Sequence, residues 1–290
     1  MDALLFGALS GALFGAFAVA IRAGLSRGVP AATGATISSL VGLVVVLIAA
    51  LASGAFSHGA DARDVLIFGA LGAGVPGLSS IAFVLAIRYM GAARAAVLVG
   101  IAPLASFVLA TAFLGEHVSA GLVAGAALIV AGGASLSLER QRPDGFRALG
   151  AVLATSCALL FAIRDTLVRW ASGDATIDPL VRAVVSLAAA SLVLLAWSAL
   201  RRRAREPSSP RSAIAAFAPA GICLGSAYLC LLVALDRGRV TIVAPLNASQ
   251  SLWGVIFAAA FLGKREQIGS RLVVAAALVV AGGVLIGINR

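Results

Sequence analysis

Asn247, Gln250 and Ser251 are the residues whose types and spacing most invite chemistry. With Gly254 they fall at i, i+3/i+4 and i+7, so a helix would carry them on one face. An amide in apolar surroundings costs free energy unless it is paired. Both amides must therefore meet a partner or a wet cavity. Either they line that cavity, or they hydrogen-bond one helix to the next. Pro245 removes a backbone donor and frees a carbonyl one turn back, which can also line a cavity. Ser226 and Tyr228 are further candidates, with Pro76, Ser79 and Ser80 at a related depth, and Pro103 and Ser106. A serine in such a helix can instead bond its own backbone. The Tyr228 hydroxyl lies too deep in its segment for an interfacial belt. Trp253 is also too deep for a belt, so packing on lipid and lining a cavity both stay open for it.

The elements that must position these residues are apolar throughout. The chain has 290 residues, of which 61% are hydrophobic and 12% charged. Its mean hydropathy is +1.06. A soluble domain carries roughly 25% charged residues, so the solvent that suits this chain is a lipid bilayer. A spanning helix needs about 20 mainly apolar residues. Ten stretches qualify: about 3–21, 31–53, 65–87, 95–114, 118–138, 148–163, 179–199, 213–235, 240–262 and 269–288. They lack the period-two alternation of barrel strands. The first stretch has no preceding Lys or Arg, unlike a signal peptide, and is predicted to be helix one.

The net charge of +10 does not point to nucleic acid, because the basic residues sit in short connectors. The densest run, Arg201, Arg202, Arg203, Arg205 and Arg211, reads as a loop touching anionic headgroups. Cys157, Cys223 and Cys230 lie inside apolar stretches and read as small buried hydrophobes. His58 and His117 lie in separate connectors. A membrane-embedded enzyme needs clustered His, Asp or Glu. No catalytic residue, metal ligand or cofactor is therefore expected.

The chain repeats itself at half its length. Ala110 to Gly115 matches Ala258 to Gly263 at five of six positions, and Ala126 to Gly133 matches Ala276 to Gly283 at seven of eight. Each half would hold five helices. Five is odd, so the second half must start on the opposite side of the membrane. The predicted fold is all-α, with ten transmembrane helices as two inverted five-helix repeats. The repeats are 1–138 and 148–290, joined by a connector at 139–147. Inverted repeats are an architecture of secondary transporters, with substrate near the midplane.

Phe113-Leu114-Gly115-Glu116, the run Gly121 to Gly133, and their echoes at Phe261 to Glu266 and Ala276 to Gly283 resemble the drug/metabolite transporter superfamily. The likeness is to its ten-helix, EamA-type members and covers nearly the whole chain. Pro103, thirteen residues before Glu116, also fits. Lys264-Arg265-Glu266 departs from the Gly-Glu junction of the first copy. The resemblance implies a multi-pass protein of a bacterial inner (cell) membrane that moves small polar metabolites, often amino acids outward. A nucleotide-sugar or drug carrier of the same superfamily is the alternative, with a membrane-embedded enzyme or a non-transporting membrane protein as remoter ones.

Charge placement adds three expectations. No Asp or Glu lies in the middle of a stretch, which favours facilitated diffusion or exchange over proton coupling. Asp165, beside Arg164 and Arg169, reads as a structural ion pair. Arg182 would snorkel to the interface or hold a substrate carboxylate. Of the 22 Lys and Arg, 15 fall in connectors, or at their edges, on the side opposite the termini. The positive-inside rule thus puts both termini outside, whereas the resemblance implies both inside.

Overall fold

The computed structural model describes residues 2–58, 61–102, 104–105, 108–109, 119–137, 147–172, 175–201, 209–238, 243, 246–263 and 269–288. The elements among them are all helical: α1 (Asp2–Leu25), α2 (Ala31–Ala52), α3 (Ala62–Gly72), α4 (Ser79–Met90), α5 (Ala92–Val99), α6 (Ala120–Ser137), α7 (Leu149–Ser172), α8 (Pro179–Arg201), α9 (Pro210–Arg237), α10 (Gln250–Leu262) and α11 (Ser270–Ile288). Among the described residues six spans are long and apolar enough to cross a membrane: α1, α2, the unit from Ala62 to Met90, α7, α8 and α9. Shorter apolar runs cover Val123–Gly132, Leu246–Leu262 and Ser270–Leu285. Leu5, Ile48, Leu66, Val152, Leu192 and Phe261 are all more than half exposed. Large apolar side chains turned outward on helix after helix form a surface for lipid, not water.

Local chemistry sets the helix starts. Pro179 and Pro210 stand at the first helical position, where the missing N–H costs nothing. Pro30 precedes α2 in an extended conformation, and the Asp61 carboxylate caps α3 by accepting from the Arg63 amide. Gly91, at φ +91°, makes the sharp break between α4 and α5. Val75 is forced out of the helix (φ −140°, ψ 113°) by Pro76 behind it, and a π-helical turn over Ala73–Leu78 absorbs the break.

Two boundaries differ from expectation in a way that matters. The sixth stretch was predicted to end at 163, yet α7 runs to Ser172. Arg164 and Asp165 therefore lie inside the helix, 2% and 3% exposed. Hydropathy scores them as aqueous, but they neutralise each other and are buried by protein. The ninth stretch holds α10 only from Gln250, and Pro245 lies outside the described residues, as do Pro103 and Ser106.

The two halves of the chain interleave. α1 packs on α9 and α4 on α7; α2 packs on α9, and α3 with the π-helical turn on α8. α2 meets α8, α5 meets α10, and α6 meets α11. Almost every large interface joins a helix before residue 138 to one after residue 148.

One end of the bundle is clamped by polar contacts. The Asp64 carboxylate accepts from the Thr176 amide (2.8 Å), the Thr176 hydroxyl (3.2 Å) and the Ile177 amide (3.4 Å). It thereby ties α3 to the loop before α8. Arg182 donates from Nε to the Ile177 carbonyl (2.8 Å), and from Nη1 to the Ser172 hydroxyl (2.9 Å) and Asp236 (2.8 Å). Its guanidinium lies 5.4 Å from the Phe68 ring centre. Arg182 is thus buried within the protein, 5% exposed, with Nε and Nη1 both committed to the clamp. Asp64→Ala is expected to cost about 1–2 kcal/mol by stranding the Thr176 and Ile177 amides. Thermal unfolding of the purified protein measures it, and Asp64→Asn, which keeps one acceptor, should lose less.

Candidate functional site

A small central cavity opens where the broken third span meets the second half. It is lined by Phe14 and Phe17 of α1, Pro76 of the π-helical turn, Ser79, Ser80 and Phe83 of α4, Phe161 and Arg164 of α7, Leu224 and Tyr228 of α9, and Gln250 of α10. Its volume is about 10 Å³, room for about one water. Val75, pushed out of the helix by Pro76, interrupts the ladder just where this wall is built, so the break exposes backbone inside the protein and not to lipid.

The polarity of this cavity is unspent. Among the described residues five buried side-chain atoms lack a hydrogen-bond partner: Ser38 Oγ, Ser79 Oγ, Arg164 Nη2, Tyr228 Oη and Ser249 Oγ. Three of the five belong to residues lining this one cavity. Ser186 stands beside Tyr228 but gives its own proton to the Phe68 carbonyl at 3.0 Å. Arg164 uses Nε on Asp165 at 2.8 Å and lies over the Phe161 ring at 4.6 Å. The Tyr228 ring centre is 5.9 Å away. Orphaned polar atoms are rare in native proteins, and concentration in one place marks a site for something else.

The structure brings Pro76, Ser79, Ser80, Tyr228 and Gln250 together here. It sends the other candidates elsewhere. Asn247 accepts from the Ser10 hydroxyl at 3.1 Å and so joins the segment before α10 to α1. Ser251 donates to the Ala96 carbonyl of α5 at 3.2 Å. Trp253 is 38% exposed and stacks on Phe257 at 5.4 Å, along the outer face. Ser226 is half-buried and does not line the cavity. Asn247 and Ser251 share a face in projection, but two different helices cover that face.

Sequence reasoning missed Arg164 as a lining residue, together with the four phenylalanines. The signal was present in Arg164-Asp165: a charged pair flanked on both sides by helix-forming residues can lie within a span. Asp165, expected at the end of a stretch, lies within α7 seven residues before its end, which removes one support of the inference drawn against proton coupling.

Beyond the cavity lies a wider vestibule of about 570 Å³, lined among others by Arg22, Pro30, Leu85, Arg88, Trp197 and Leu262. Phe17 and Phe83 stack at 5.7 Å. Each stands five residues, about 7–8 Å along its helix, from the vestibule arginine of the same helix. The stack therefore lies between vestibule and cavity. The Arg182 clamp lies at the opposite end of α7, α8 and α9.

Comparison with known proteins agrees with this architecture. The crystal structure of another protein is 22% identical, with a TM-score of 0.68 over 98% of this chain and 95% of its own. That likeness speaks for the fold alone. No curated protein matches. The sequence profile of the EamA-like transporter family matches twice, over residues 1–138 and 148–288. With a helical bundle turned outward to lipid and a broken span over a polar cavity, this double match means that the chain belongs to the EamA-like transporter family.

Proposed function

We propose that this protein is a secondary carrier, an exporter or facilitator of small polar metabolites, amino acids first among them. It works by alternating access around the central cavity. The observation that carries this reading is the cavity itself: both halves of the chain wall it, and three of its polar atoms lack partners. The reading takes residues 1–138 and 148–290 as inverted five-helix repeats joined by 139–147, ten spans in all. Helix pairing supports it, because exchanging each span for its counterpart five spans on reproduces the contacts: α1 on α9 becomes α7 on the α3–α4 unit, and α2 on α8 maps to itself. With the Phe17–Phe83 stack closed below the vestibule and the clamp closed at the far end, the cavity here is in a contracted form. Parting the stack joins it to the vestibule; releasing the clamp opens it to the other side.

Uptake of labelled amino acids into proteoliposomes tests the reading. Gln250→Ala is expected to lower uptake about tenfold or more through loss of a buried polar contact, while thermal stability moves little because the side chain borders space. Absence of flux for amino acids, nucleosides, sugars and organic cations alike would sink it.

A further inference from the structure

We infer that Arg164 is the residue that receives a substrate carboxylate, and that the ion it accommodates best is a zwitterion. The inference rests on the carrier reading above and deepens it. Among the eleven residues lining the cavity, Arg164 alone carries a fixed charge. It is 2% exposed, and its Nη2 has no hydrogen-bond partner among the described residues. A guanidinium presents its N–H groups in a fixed fork that matches a carboxylate. Ser79 Oγ and Tyr228 Oη, both unpartnered and both lining the same space, can donate to the same anion.

Charge bookkeeping then selects among carboxylates. Arg164 already gives Nε to Asp165 at 2.8 Å, so the resident pair is neutral as a whole. Adding a net anion to buried surroundings would leave one uncompensated negative charge, which is costly. A zwitterion adds none. Its carboxylate takes the unspent Nη2. Its ammonium faces the Gln250 amide and the rings of Phe14, Phe17, Phe83 and Phe161, which attract cations. Asp165 holds Arg164 in position and is a positioning residue, not a contact.

Purified protein in nanodiscs, titrated with matched pairs, tests this: L-leucine against L-leucinamide, L-phenylalanine against L-phenylalaninamide, and acetate. The expected result is binding of the two acids about tenfold or more tighter than their amides, with acetate weaker than either acid. Arg164→Gln should abolish the acid-over-amide preference. Because Arg164→Gln strands Asp165, the double change Arg164→Gln with Asp165→Asn removes both charges together and should also lose the preference, while Arg164→Lys keeps part of it. Equal binding of acid and amide in the natural protein, or a preference that survives the double change, overturns the assignment. So does failure of both amino acids to bind. If uridine or choline is then transported into proteoliposomes, the carrier reading stands and only Arg164's role falls. If no probe is transported, both fail.

Discussion

Replacing Gly225 by valine is expected to lower the melting temperature by roughly 10 °C. α2 and α9 cross with backbone against backbone: a Cβ on Gly225 would stand 2.5 Å from the Gly42 carbonyl oxygen and 2.9 Å from its Cα. Neither atom belongs to a side chain that could swing aside. In a bilayer no hydrophobic force pulls helices together, so close packing by small residues carries association. Valine must separate the two helices, and α2 also packs on α8. A cost of about 3 kcal/mol is expected from overpacking at a rigid contact, roughly a 10 °C fall in melting temperature at this chain length. The measurement is thermal unfolding with the monodisperse fraction after extraction. Gly69→Ala is the matched control: its Cβ would meet only Val185 at 3.7 Å, an ordinary contact. A Gly225→Val protein that melts like the parent would mean that α2 and α9 do not approach as described.

Arg182→Leu is expected to cost about 3 kcal/mol as well, for a different reason. Leucine fills the space but strands the Ile177 carbonyl, the Ser172 hydroxyl and Asp236. The ion pair is the smaller part, because the Asp236 side chain is 31% exposed and water compensates it. The buried carbonyl and the lost stack on Phe68 make up the rest. Two further variants separate these contributions. Asp236→Asn should cost well under half as much as Arg182→Leu. Arg182→Lys should fall between, since one ammonium cannot reach all three acceptors as the fork does. Equal losses for Asp236→Asn and Arg182→Leu would show that the ion pair dominates, contrary to this account. On the proposed alternating-access reading the clamp opens in each cycle, so Asp236→Asn is also expected to change the rate of transport more than the affinity for substrate.

What the sequence determined by itself is what depends on composition and period. Long apolar runs with few charges can only be lipid-facing helices, because backbone amides have no other partner in hydrocarbon. The half-length echo of Ala126 to Gly133 at Ala276 to Gly283 led to the family, since repeated text survives whatever the packing does. From sequence Pro76 is only a candidate lining residue within one uninterrupted span; the break beside it, where the ring pushes Val75 out of the helix, was found in the structure. Gln250, Tyr228, Ser79 and Ser80 were legible as candidates for a buried polar site by the same reasoning about desolvation.

The tertiary structure alone decided which of those polar groups share a space. Asn247, Gln250 and Ser251 lie within five residues, yet the first is taken by Ser10 of α1, the last by Ala96 of α5, and only Gln250 borders the cavity. A helix face is a direction, and what stands in that direction depends on helices far away in sequence. Arg164 and Asp165 carry the same lesson. Hydropathy prices each side chain against water, one at a time, so the pair read as the end of a span. Only packing supplies the Phe161 ring, the surrounding protein and the mutual neutralisation that let two charges sit inside α7.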